Sequence, residues 1–175
     1  MTTSNSTAIA WPSTLAAATV LGSFALACVF PFSAVAALAA LTLDRRAGST
    51  LVAAVWAVNQ AVGFFLLSFP WDGQAVGHGI AILGATLAGF EAARFTARGV
   101  GGNLFIRGGA ALVVAFVVYE VLLLAYAQVG GGAENFTAEI VAQVAINDAL
   151  WFMGLMVLRF ALTQVTGERV LQQEV

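Results

Sequence analysis

From Thr14 to Leu162 the sequence is a succession of long apolar stretches divided only by short polar turns, and no charged residue interrupts the first of them between Thr14 and Leu43. About 20 apolar residues cross the hydrocarbon core of a bilayer, and backbone inside lipid must satisfy its own hydrogen bonds, so such stretches form helices packed on one another. Composition agrees: 61% of the residues are apolar and 9% charged, where a soluble domain carries roughly a quarter charged. The 175 residues accommodate about five or six spans in one integral membrane domain, with no room for a second, water-soluble one.

Several chemistries are absent. The chain has no lysine, which excludes a retinal Schiff base, and a single histidine excludes bis-histidine haem or an HExxH zinc helix. The lone Cys28 excludes a CxxC pair. A net charge of −2 and a pI near 5.2 give no general affinity for nucleic acid. No nucleophile–base pair, phosphate loop or cofactor motif is visible, so no enzymatic activity and no cofactor are expected.

The first apolar stretch would make a helix of roughly 45 Å against a core of about 30 Å. Phe30-Pro31-Phe32 lies inside it, and proline removes a helical hydrogen bond. The sequence therefore predicts an all-α polytopic bundle of five transmembrane helices, the first kinked at Pro31, or six if that segment divides there. The remaining spans are expected at Ser49 to Phe69, Ala75 to Phe95, Ile106 to Val129 and Ala138 to Leu162, with polar turns at Asp44 to Gly48, Pro70 to Gly73, Arg94 to Arg107 and Gly130 to Thr137.

The seven arginines, Arg45, Arg46, Arg94, Arg98, Arg107, Arg159 and Arg169, all fall at alternate span ends. Arginine accumulates on the cytoplasmic side, so five spans place residues 1–13 outside and the polar tail 163–175 inside, whereas a divided first segment places both termini inside. The lysine-free, Ala/Gly/Arg-rich composition looks bacterial, which implies the cytoplasmic (inner) membrane and makes the sequons Asn5-Ser6-Thr7 and Asn135-Phe136-Thr137 chance matches.

Polar residues within the spans are few. Trp56, Asn59, Gln60 and Gly63 share a face of the second; His78 begins the third; Tyr119-Glu120 and Tyr126 lie on the fourth; Gln143, Asn147 and Trp151 follow one face of the fifth beside Asp148. At 1.5 Å per residue they share a layer between mid-membrane and the outer surface. Glu120 and Asp148 have no basic residue at their depth, which leaves them protonated, sharing a proton or neutralised by a bound cation, and an intramembrane carboxylate without a partner points to function. Glu91, Arg94 and Arg98 are expected to pair with one another and snorkel at the inner end. Small residues at Gly77, Ala81, Ala85, Ala88 and Ala92, and at Ala36 and Ala40, mark close helix contacts within the bundle or with a partner.

Carboxylates, amides, an imidazole and aromatic rings facing outward suit a small cationic or nitrogen-rich solute, or Co²⁺ or Ni²⁺ held by His78, Glu120 and Asp148. On these residues the chain resembles the substrate-binding component of energy-coupling-factor vitamin transporters. Tyr119-Glu120 with Asn147, Trp151 and His78 is similar in residue type to the set with which thiamine-binding members hold their cation, and Ala36 and Ala40 resemble the small-residue surface that docks the coupling subunit. The resemblance implies uptake of a vitamin-like solute with a separate membrane coupling subunit and ATPase, in a bundle usually of six helices. The alternative expectation is an accessory or assembly subunit of a membrane complex, whose small-residue stripes form its interface.

Overall fold

The computed structural model describes residues 11–18 and 30–166, with side chains as far as Leu162. Cys28, the first sequon and the end of the polar tail, Arg169 included, lie outside the described residues. Every regular element among those described is helical: a segment at 11–18, then α1 (Phe32–Thr42), α2 (Arg45–Ala61) continuing as a π turn over Val62–Leu66, α3 (Gly73–Gly99), α4 (Leu104–Gly130), a 3₁₀ turn (Ala133–Asn135) and α5 (Ala138–Thr166).

Short polar side chains set where the long helices begin. Asp44 accepts from Ala47 N at 2.9 Å, Asp72 from Ala75 N at 2.8 Å and Asn103 from Ile106 N at 3.0 Å, which starts α2, α3 and α4. Thr137 does the same for α5 through Ile140 N at 3.2 Å. Each cap satisfies an orphan donor of a first turn and contributes about 1 kcal/mol. α4 ends where Gly131 and Gly132 take positive φ, open to a residue without Cβ. Counted this way the helices run two to four residues beyond the expected spans at most ends.

Four helices, α2 with its π turn, α3, α4 and α5, are long and apolar enough to cross a membrane. This is a multi-pass membrane protein by helix length and composition. The fifth element differs. α1 has 11 residues, roughly 16 Å, and every residue from Phe32 to Ala39 is buried. It touches all four long helices, which meet one another in the order α2–α3, α3–α4, α4–α5. A helix apolar on every face has no side to give to water and becomes a core.

α3 and α4 pack most extensively. Ala85, Gly89, Ala93 and Ala97 are buried on α3, with Ala111 and Ala115 opposite on α4. A Cβ on Gly89 would stand 3.0 Å from Ala115 O. The buried row is thus shifted from the expected stripe: Ala81, Ala88 and Ala92 remain half-exposed, and Gly77 instead makes room for the Tyr126 hydroxyl.

The expectation of one kinked span from Thr14 to Leu43 is not met. Trp11 Nε1 donates to Thr42 Oγ1 at 3.1 Å, and the Arg159 guanidinium lies 5.0 Å from the Trp11 ring centre. A single helix would hold Trp11 and Thr42 tens of ångströms apart. Trp11 lies at the arginine end of the bundle, beside Arg159. At that end Arg45 Nε pairs with Glu91 Oε1 at 2.8 Å, and Arg107 Nε donates to Ala97 O at 2.9 Å.

Candidate functional site

α1 is a short dipole enclosed in protein, whose first N–H groups and last carbonyls have no partner within the helix itself. Each end meets a charged side chain from a different long helix. At the N-terminal end Asp148 of α5, 2% exposed, accepts from Ala34 N at 3.1 Å. At the C-terminal end Arg94 of α3, 7% exposed, donates to Leu43 O at 2.9 Å and lies 5.5 Å from the Phe90 ring centre. Both signs match the dipole. A carboxylate favours the partially positive N-terminus and a guanidinium the partially negative C-terminus, and each such hydrogen bond to a charged group contributes about 1.5–3 kcal/mol.

Two expectations change here. Arg94 does not join Glu91 and Arg98 in a surface cluster; Glu91 pairs with Arg45, and Arg94 turns inward. Asp148 is not without a partner, since a helix terminus supplies the positive partial charge that no arginine supplies at its depth.

The Asp148 end holds more polar groups than the cap uses. The Ser33 N–H and hydroxyl stand beside the same carboxylate as further donors, on a residue 1% exposed. Trp151, one turn beyond Asp148, has a buried indole N–H that is unpaired among the described residues. Tyr119 is buried with its ring 6.1 Å from Phe32, which stacks in turn on Phe30 at 5.9 Å. Glu120 is half-buried, near enough to repel Asp148 and to act on Tyr119, and no described residue gives it a hydrogen bond or an ion pair. Asn147 lies one residue before Asp148, half-exposed and with interactions of its own.

No family model matches this chain, nor does any curated protein or solved structure. The site therefore has to be read from its own geometry.

The rest of the polar layer belongs elsewhere. Trp56 Nε1 donates to Gly79 O at 2.7 Å, Gln60 Nε2 donates to Asn59 Oδ1 at 3.1 Å, and the Gln60 amide fills the space that a Cβ on Gly79 would need. Trp56 and Gln60 join α2 to α3, and Asn59 orients Gln60 from the same helix. Beside them, Trp56, Gln60, Phe64, Trp71, Gly79 and Ile80 line an apolar groove of about 330 Å³, closed at one side by Phe64 stacked 4.3 Å from Trp71. His78 joins α3 to the loop after α4. One ring nitrogen lies 2.8 Å from Gln74 O, the other 3.0 Å from Gly131 O, and the ring meets Tyr126 edge-on at 5.0 Å.

His78 is thus committed to backbone carbonyls and does not stand with Glu120 and Asp148. Among the described residues no three His, Cys, Asp or Glu side chains are placed to hold a metal ion. The Co²⁺ or Ni²⁺ arrangement expected from those three residues is not formed. Ala36 is 1% exposed and enclosed between the long helices, so it is no docking face either. What sequence reasoning missed was Ser33, whose signal was its place two residues after Pro31 in the first turn of an all-apolar helix.

Proposed function

We propose that this protein binds a small organic cation at the N-terminal end of α1, as the solute-binding component of an uptake system in a bacterial cytoplasmic membrane. The observation that carries the reading is the uncommitted Glu120 carboxylate. An unpaired carboxylate within a membrane span costs at least about 2.5 kcal/mol, and its neighbour Asp148 is already matched to a helix terminus worth roughly half a positive charge. One further positive charge offsets most of what remains on the pair. Glu120 supplies the counter-charge, Tyr119 and Trp151 supply ring faces for cation–π attraction, and the Trp151 N–H is a donor for an acceptor on the same solute.

Asn59, Gln60 and His78 fall outside this reading. On this reading the first apolar segment divides near Pro31, in keeping with the Trp11–Thr42 contact and with the six helices usual in the substrate-binding component of energy-coupling-factor transporters, and the enclosed Ala36 is not part of a docking face. Energy would come from a separate membrane subunit and ATPase docked on another face. Native mass spectrometry of the mildly extracted protein tests the proposal. A retained small cation that is lost in Glu120→Gln supports it; a stoichiometric protein partner with no small molecule favours an assembly subunit.

A further inference from the structure

Four aromatic rings stand around a groove that the protein leaves open. It lies between α2 with its π turn and the first turns of α3, and holds about 330 Å³. Trp56, Phe64, Phe65 and Trp71 wall it, while Ala57 and Ala61, one turn apart on α2, keep its floor low. The walls are fixed before anything enters. The Trp56 N–H is held on Gly79 O at 2.7 Å, and Trp71 stacks on Phe64 at 4.3 Å and meets Phe65 edge-on at 5.7 Å.

The chain departs from regular helix to build this shape. Leu67 N donates to Val62 O at 3.0 Å, five residues back, and the wider π turn re-aims the side chains that follow it. Phe69 folds over Gly63, where a Cβ would stand 2.9 Å from its ring, and Ser68 takes φ +56°, a value that a side chain disfavours. Departures of this kind persist where the surroundings impose them, and they gather at binding sites.

Depth and size identify the occupant. Trp56 stands near the middle and Phe65 near the end of the 22-residue apolar helix Arg45–Leu66, so the groove runs from mid-membrane to the end away from the described arginines. Ala57, Ala61, Val76 and Ile80 at its mouth are exposed, and within a bilayer such a mouth opens on lipid chains or on the helix of another protein. One turn of a helix about 10 Å across displaces roughly 420 Å³, more than the groove holds. A single acyl chain is thin and flexible enough to enter, and it gives the ring faces contacts that a void would deny them. Trp71, 68% exposed, edges the mouth with a side chain suited to headgroup level.

We propose that this groove holds one acyl chain of a phospholipid from the leaflet at that end, the outer leaflet by the arginine rule, as a resident lipid. The site is separate from the solute reading, whose Glu120 and Asp148 lie on α4 and α5.

The full chain in nanodiscs of phosphatidylethanolamine and phosphatidylglycerol tests the proposal. Trp11→Phe, Trp71→Phe and Trp151→Phe together leave Trp56 as the one indole, and acyl chains brominated near their middle should remove most of its fluorescence, because bromine quenches on contact. Ala61→Phe, which puts a ring into the groove from an exposed position, should restore the signal, and Val113→Phe, on the exposed face of α4, should not. Native mass spectrometry of the mildly extracted chain with its own tryptophans should show one retained phospholipid, its bound fraction falling by about fivefold or more in Ala61→Phe. Ala57→Phe replaces that variant if it does not fold, and the retention measurement decides if the tryptophan variant does not. Trp56 fluorescence unchanged by bromine, equal phospholipid retention in the filled variant, or a free fatty acid or partner protein retained in place of phospholipid overturns the proposal.

Discussion

The two ends of α1 face the same electrostatic problem and meet it differently. At the C-terminal end one guanidinium serves one carbonyl, with an aromatic ring beside it, and every group named there has a partner. At the N-terminal end Asp148 takes the Ala34 N–H with the Ser33 N–H and hydroxyl beside it, while among the described residues Glu120 and the Trp151 N–H are left over. Folding alone accounts for the first arrangement and not for the second. A buried polar group without a partner costs about 1–3 kcal/mol, and among the described residues such groups gather at the Asp148 end, which is the observation behind the proposed solute site.

The contrast breaks most completely if the two ends do not lie on opposite sides of the membrane. Reporter fusions at Gly73 and Gly131 should read outside, and fusions at Gly48 and Gly101 inside, in an all-or-none manner. A cysteine placed at Ser13 should also label from the inside, because Trp11 contacts Thr42 and Arg159. Labelling of that cysteine from outside would mean that the first segment crosses as one span after all.

The next largest effect is at the closed end. Arg94→Met should destabilise the solute-free protein by about 3 kcal/mol, since it removes a charged hydrogen bond and leaves Leu43 O buried and unserved; Arg94→Lys should recover part of that loss. Denaturant or thermal unfolding in one detergent checks both. At the open end Asp148→Leu should cost about 2 kcal/mol, and Asp148→Asn about 1 kcal/mol, because the amide oxygen still accepts from Ala34 N but carries no charge. Equal losses in the two Asp148 variants would mean that the helix dipole plays no part.

The sequence made much of this frame readable. The turns follow from their charged and Gly/Pro residues and the arginine end from spacing alone, while the caps Asp44, Asp72 and Asn103 start the helices two to four residues before the expected spans. Depth along a span is also readable, since each residue adds a fixed rise. Direction around the helix axis is not, when both faces are apolar. That is why Asn59, Gln60 and His78 shared a layer with Asp148 on paper and yet belong to separate contacts between α2, α3 and the α4–α5 connection. The same limit hid α1: Phe32 to Thr42 is apolar on every side and joins an apolar stretch before it, so it read as the remainder of a long span. Pro31 marked the break, but only packing against four neighbours shows that the helix after it is a core and that Arg94 and Asp148 close its ends.

The smallest expected effect is the most telling. Glu120→Gln removes a charge from the membrane and breaks no bond among the described residues, so without solute its unfolding free energy should stay within about 0.5 kcal/mol of wild type, or rise. The central claim is that Asp148 holds the fold while Glu120 is held ready for a cation. Unfolding of Glu120→Gln and Asp148→Leu, measured side by side in solute-free protein, tests it most directly. The account predicts a clear loss for Asp148→Leu and none for Glu120→Gln; a loss of similar size in both would contradict it, because Glu120 would then be part of the structure.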